Sequence, residues 1–198
     1  MRTPPSSPSG TAERILDVAE RLVQTGGFNG FSYADVSAAL RITKASLHYH
    51  FPTRAKLGLS LILRYHQSFL GALAAIESSP GDALEKVRRY VGIYAEVVRK
   101  NRMCLCGMLA AEHATLPKAM REALNAFFDA NERWLSRVLE EGRRARALGF
   151  HGSAVEEARL LVAALEGAML VARSYGDPGR FESAADRAVA SLVDSAGA

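Results

Sequence analysis

The chain reads as an all-α protein of about nine helices, and three observations carry that reading. Apolar residues recur at three- and four-residue spacing in segment after segment, as at Ile15, Leu16, Ala19, Leu22 and Val23. Helix-start and helix-stop signals punctuate those segments, among them Asp82, Pro117, Ser153 and Asp177-Pro178. No stretch alternates apolar and polar residues in the manner of a strand.

Taken in order, residues 1–10, MRTPPSSPSG, are rich in proline and serine and are expected to form a disordered tail. A helix is predicted from Thr11 to Gln24, closed by Gly26-Gly27. The GGFNG stretch follows a helix with no strand before it, so it reads as a cap and turn rather than a phosphate cradle. Ser32 and Asp35 open a short second helix bearing Tyr33, Val36, Ala39 and Leu40. The chain turns over Arg41-Ile42, and Thr43 caps a third short helix that ends near His50, before Pro52. These three helices are expected to share a core of Ile15, Leu22, Phe28, Phe31, Val36, Leu40, Leu47 and Phe51.

The third helix is polar-tipped to a degree that a core does not use. Lys44, Ser46, His48, Tyr49 and His50 crowd hydrogen-bonding groups onto two turns, anchored by Ile42, Leu47 and Phe51. Two short helices joined by a tight turn, the second carrying such tips, make a helix-turn-helix suited to a major groove. The rest of the chain continues in helices. A long one runs from Thr53 to near Ile76, spanning ~34 Å, and Pro80-Gly81 breaks it. Asp82 and Glu85 start the next, with Leu84, Val87, Val91, Tyr94 and Val98 on one face. A nearly uncharged helix follows from Met103 to Ala114, then a long one from Pro117 to near Ala147. Ser153 and Glu156 form a capping box for a helix reaching Arg173, and Asp177-Pro178 opens the last.

The segments FSYADV, residues 31–36, and ITKASLHYHFP, residues 42–52, resemble the tetracycline-repressor (TetR) family of bacterial regulators. The resemblance covers about a quarter of the chain. Three positions depart from the family pattern: Arg41 stands where glycine is usual, His48 where tyrosine is commoner and Arg54 where lysine is usual. The resemblance implies a homodimeric regulator with a DNA-binding head over residues 11–56 and an effector-binding and dimerisation body over 57–198. Its partners would be a double-stranded operator, in general a palindrome, and a small-molecule effector, with repression the family default. On that reading Lys44, Ser46 and His48 meet base edges, and Tyr49, His50 and Arg54 meet phosphates. Ser32, Tyr33, Thr43 and Ala45 complete the expected DNA-binding set.

Composition agrees with a folded chain: 48% of residues are apolar and 23% charged. Residues 1–56 hold seven Lys/Arg against four Asp/Glu, whereas 57–198 hold eighteen against seventeen. The basic excess therefore lies on the segment with the polar-tipped helix, as a phosphate-facing module requires. No apolar run is read as reaching membrane-spanning length and no signal core opens the chain, so a cytoplasmic protein is expected.

An effector pocket is expected among the bulky, polarizable residues of the middle helices: Tyr90, Tyr94, Met103, Cys104, Met108, Phe127, Phe128 and Trp134. Simple core packing is the competing reading of the same residues. Cys104 and Cys106, two apart on a helix, point to different faces, so neither a local disulfide nor a zinc site with His113 is favoured. No metal or cofactor is expected. There is no nucleophile elbow, catalytic carboxylate pair or nucleotide fingerprint, and an enzyme is not expected. The alternative from another class is an all-α small-molecule-binding protein or thiol sensor that does not touch operators. The last two helices carry the apolar stripes Leu161, Leu165, Met169 and Phe181, Ala184, Ala188, Leu192, assigned here to a dimer interface.

Overall fold

The computed structural model describes residues 8–194. Among them are nine α-helices: α1 (Pro8–Gly26), α2 (Tyr33–Leu40), α3 (Lys44–His50), α4 (Arg54–Ser78), α5 (Ala83–Arg99), α6 (Leu105–Ala111), α7 (Lys118–Arg144), α8 (Ala154–Tyr175) and α9 (Pro178–Asp194). A single 3-10 turn, His113–Thr115, lies between α6 and α7. No strand occurs among the described residues. Of the stretch expected as a tail, residues 1–7 lie outside the described residues. Helix α1 already begins at Pro8, where the fixed φ of proline suits a first helical position.

The helix ends follow from local chemistry. Ser32 accepts from the Asp35 amide and Asp35 returns a carboxylate oxygen to the Ser32 amide at 2.7 Å, a closed capping box. Ser153 and Glu156 do the same for α8, at 2.8 Å. Asp82 accepts from the Glu85 amide at 2.9 Å to start α5. Gly176 ends α8 in the left-handed region at φ 63°, where glycine carries no Cβ penalty. The uncharged middle segment is shorter as a helix than expected. Cys104 precedes α6, and Cys106 sits inside it.

The chain forms two compact units. The first holds the described residues up to Tyr65 together with Leu105–Leu124, so it is larger than the three-helix head. Ile15, Ala19, Val23, Val36, Leu47, Leu57 and Ile62 are fully buried in it, joined by Leu105, Cys106 and Met120. Gly58 lets Met120 and Phe28 pack close to α4: a Cβ would come 2.4 Å from the Met120 methyl and 2.9 Å from the Phe28 ring, and those side chains would have to shift. Arg64 of α4 binds Glu13, Asp17 and Glu20 along α1, at 3.2, 2.7 and 2.6 Å. The turn after α1 is tied to the α6 region, with the Asn29 amide donating to Glu112 at 3.0 Å and its side chain to Thr115 at 2.9 Å.

The second unit comprises His66–Cys104 and the chain from Asn125 onward. Helix α8 packs on α9, and α5 packs on both. Phe69 meets Tyr90, Tyr94 and Phe127 edge-on, with ring centroids 6.1, 6.1 and 5.1 Å apart.

One expectation is corrected here. Helix α4 is, by length and composition, long and apolar enough to cross a membrane. Its small and aliphatic residues raise its mean hydropathy, yet Leu57, Leu61 and Ile62 are spent on a core and Arg64 on three carboxylates. Those contacts are what a connecting helix of a folded unit makes.

Candidate functional site

Helix α3 is held rigidly at both ends. The Thr43 hydroxyl oxygen accepts from the Ser46 amide at 3.1 Å, and the Phe51 amide returns to the Leu47 carbonyl at 2.8 Å. Leu47 is fully buried and Phe51 nearly so, which fixes the inward face. Lys44, Ala45, His48 and Tyr49 are exposed, Tyr49 at 79%, while Ser46 and His50 are half-buried. A Tyr so exposed, next to a Lys on a capped helix, presents donors outward with no structural task within the unit.

Before α3, the chain turns at Arg41, which adopts φ 55°. The Arg41 and Ile42 amides close the end of α2 onto the carbonyls of Ala38 and Ser37, at 3.2 and 3.1 Å. This is a left-handed position of the kind that favours glycine, occupied here by an L-residue. His48 stacks obliquely on Tyr33, centroids 4.8 Å apart, and its Nδ1 lies 3.4 Å from the Pro52 carbonyl oxygen.

Two of the residues expected to touch DNA, Tyr33 and Arg54, make bonds within the unit, and two more, Ser32 and Thr43, cap helices while remaining exposed. Tyr33 is buried, donates its hydroxyl to the Phe51 carbonyl at 2.8 Å, and has its pKa raised by that burial. The Arg54 guanidinium donates to the carbonyls of Phe31 and Phe28 and lies 4.8 Å over each of their rings. It ties the start of α4 to the turn before α2. Ser32 and Thr43 spend their hydroxyl oxygens on the helix caps. The hydrogen bond from the Ser32 hydroxyl also holds the Asp35 carboxyl below its usual range. Lys44, Ala45, Ser46, His48, Tyr49 and His50 of α3, with the exposed Ser32 and Thr43, are exposed or half-buried.

The second unit carries a solvent-open cavity of about 810 Å³ between α4 and α7, with Leu70, Ala74, Glu77, Arg133 and Arg137 exposed. From α4 it takes His66, Leu70, Leu73, Ala74 and Glu77; from α7 it takes Ala130, Arg133, Trp134 and Arg137. Of the eight residues expected in a pocket, only Trp134 lines it. Tyr90, Tyr94 and Phe127 are buried in a packed cluster in which the Tyr90 hydroxyl donates to Asn131 at 3.0 Å and lies 3.2 Å from that of Tyr94. Burial lifts both tyrosine pKa values above the ordinary range. Met103 and Cys104 are buried, Phe128 abuts Phe127 at 5.3 Å, and Met108 belongs to the first unit beside Gly27. These aromatics lie at core spacing and satisfy one another. The lining of this site was readable as period: 66, 70, 73, 74 and 77 share one face of a helix, as do 130, 133, 134 and 137.

Glu166, on α8, is the most perturbed carboxyl. Its stem is half-buried, but both carboxylate oxygens are out of solvent, and burial raises its pKa to about 7, opposed by the Cys104 thiol. Cys104 and Cys106 are both buried and not disulfide-linked. Among the described residues no group of three or more His, Cys, Asp or Glu side chains is placed to hold a metal ion.

The stripe assigned to a dimer interface is mostly turned inward. Leu161, Leu165, Met169, Phe181 and Leu192 are buried within the chain, where α8 packs on α9 and α5; Ala188 is half-buried and only Ala184 is exposed. The outer face of α8 carries a different apolar row: Leu160 at 62% exposure, Leu170 at 61% and Val171 at 48%, with Ala163, Ala164 and Gly167 exposed between them.

A capped helix-turn-helix that presents a polar second helix, on an all-helical chain with a separate cavity-bearing unit, defines a DNA-binding transcriptional regulator. The comparisons carry this to a family. The family model for bacterial regulatory proteins of the tetR family matches residues 15–61. The model of the LmrA/YxaF-like transcriptional regulator C-terminal domain matches residues 80–187, over half of the chain. The chain belongs to the TetR family of transcriptional regulators, which are not enzymes. A TetR-family regulator from Agrobacterium tumefaciens is similar in structure with a TM-score of 0.91 and 34% identity, over 94% of this chain and 99% of that one. One from Legionella pneumophila gives 0.85 and 32%, over 96% and 100%. The HTH-type transcriptional repressor NemR of Escherichia coli is 25% identical over 82% of this chain and 84% of its own length.

Proposed function

We propose that this regulator is a homodimeric repressor that grips a palindromic operator through α3 and lets go when a small molecule enters the second unit. The observation that carries the reading is the orientation of α3: Leu47 is wholly buried while Lys44, His48 and Tyr49 stand exposed on a helix capped at both ends. Lys44, Ser46 and His48 are the base-edge candidates, and Tyr49 and His50 the phosphate candidates. The name of NemR as a repressor supports the sign of regulation. The protein would act in the cytoplasm, with the DNA.

A dimer follows from the outer row of α8, because Leu160, Leu170 and Val171 with small residues between them leave a helix face that a second copy fits closely. Two copies of α3 would then meet successive major grooves ~34 Å apart, or a multiple of that. Helix α4 carries cavity residues in its later turns and packs its first turns in the DNA-reading unit. An effector that binds one conformation better therefore shifts the population of DNA-competent dimers.

The test is footprinting on the DNA flanking the protein's own gene, with wild type, Lys44→Ala and Tyr49→Ala. The expected result is a symmetric protected site that each variant weakens by about 1–3 kcal/mol, with the helical circular-dichroism spectrum unchanged. Full protection by both variants would refute the assignment of α3 as the reading helix.

A further inference from the structure

We propose that the cavity between α4 and α7 binds a hydrophobic carboxylate, an organic acid whose apolar body lies on Leu70, Leu73 and Trp134 and whose carboxylate is received by Arg133, His66 and Trp134. The proposal rests on reading this cavity as the effector site, and it adds the chemical class of the effector.

Two buried nitrogens of the lining residues have no hydrogen-bond partner among the described residues: His66 Nε2 and Trp134 Nε1. An indole N–H is a donor only, and leaving it buried and unpaired costs free energy that an incoming acceptor recovers. Two orphan nitrogens on facing helices that line the same site call for a shared acceptor. Arg133 lies on the same α7 face as Trp134, one residue before it, and near enough to His66 that its charge joins burial in lowering the imidazole pKa. The imidazole is thus neutral at pH 7 and donates from one nitrogen, and the Nε2-protonated tautomer is the one that pairs with an acceptor.

The charge balance selects an anion. Arg133 has no acidic partner among the described residues. Arg137 shares Glu77 at 3.9 Å, and Glu77 is already held by Lys86 at 3.1 Å. A cation would meet two arginines, and a polyol would leave Leu70, Leu73, Ala74 and Ala130 wetted. A carboxylate satisfies the guanidinium and the two orphan donors together, while its hydrocarbon part covers the aliphatic wall. The cavity, at about 810 Å³, has room for a chain or ring system of drug-like size.

Trp134 is the only tryptophan in the chain, so its fluorescence reports on this cavity alone. The experiment titrates the full-length protein, free of DNA, with decanoate and with 4-phenylbutyrate, each below its micelle concentration. Decan-1-ol and decylammonium serve as neutral and cationic controls. The expected result is a saturable change with the acids, with the controls weaker by about tenfold or more. Arg133 is exposed, so Arg133→Ala should fold normally, keep its unliganded melting temperature and lose about tenfold in acid affinity, with Arg133→Lys recovering part of it. Equal response to acid and alcohol, no saturable response to either acid, or unchanged affinity in Arg133→Ala would each overturn the proposal. Operator release is measured separately. Acid binding without release would overturn the effector reading while leaving the carboxylate site standing. Release by a molecule that does not perturb Trp134 would overturn the placement of the effector in this cavity.

Discussion

Tyr33 reaches across the helix-turn-helix and donates its hydroxyl to the carbonyl oxygen of Phe51, 2.8 Å away, joining the first turn of α2 to the end of α3. Both groups are buried, so the bond closes an account that water cannot settle. Tyr33→Phe keeps the ring against His48 and removes only the oxygen. Chemical denaturation should then show a loss of about 1–2 kcal/mol, because the Phe51 carbonyl stays buried without its donor. Operator affinity measured well below the melting temperature should change less than in Lys44→Ala. A stability equal to wild type, or a DNA defect larger than that of Lys44→Ala, would return Tyr33 to the set of direct contacts.

The same pair shows what a sequence can and cannot disclose. Ser32, Asp35, Thr43 and Pro52 act on neighbours within a few residues, so the motif, its caps and its boundaries were legible. Tyr33 and Arg54 serve carbonyls 18 and 23 residues away, and nothing local distinguishes such a donor from one aimed at a phosphate. Helix α8 posed the same difficulty in another form. It is apolar on two faces, and the row 161, 165, 169 looks no different from the row 160, 163, 167, 170 until α5 and α9 are known to cover the first. The aromatic cluster around Phe69 read equally well as pocket or core, and packing decided for core.

Arg41 should be replaceable with profit. At φ 55° an L-residue pays roughly 1–2 kcal/mol for its Cβ, and glycine returns part of that through greater freedom in the unfolded chain. Arg41→Gly should therefore raise stability by about 0.5–1 kcal/mol, read as a higher denaturant midpoint with unchanged slope. A lower midpoint would mean that the arginine side chain contributes more to the fold than the turn costs.

The dimer face proposed on the outer row of α8 makes an asymmetric forecast. Leu170 is 61% exposed, and Leu170→Glu should keep the helical spectrum while multi-angle light scattering reports monomers at micromolar concentration. Leu165 is fully buried, and Leu165→Glu should unfold the second unit by placing an unpaired charge in its core. Monomers should also lose tight binding to a palindrome, since one head holds one half-site. A wild-type monomer, or a Leu170→Glu dimer, would show that this row serves another purpose.

Glu166 supplies a pH dependence of definite sign. Burial of its carboxylate oxygens raises the pKa from near 4.5 to about 7 in the folded chain, so between those values the native state holds a proton that the unfolded state has released. Its contribution is fully present below about pH 4.5 and is lost as pH rises through 7, a change of about 3 kcal/mol at 1.36 kcal/mol per unit. Asp35, Glu96, Glu140 and Glu156 have lowered pKa values, through their hydrogen bonds and ion pairs, and so push stability the opposite way at acid pH. Total stability against pH therefore mixes both trends, and only a difference separates them. Glu166→Gln keeps the shape and removes the titration, so the wild-type minus variant curve should fall steadily from pH 4.5 to 7.5 and then level. Tyr90 and Tyr94 face the same buried site, and neither releases a proton within that window, because burial raises both of their pKa values. A difference curve that stays flat across the window would show that Glu166 keeps its solution pKa, and that water or a partner reaches its carboxylate in the folded protein.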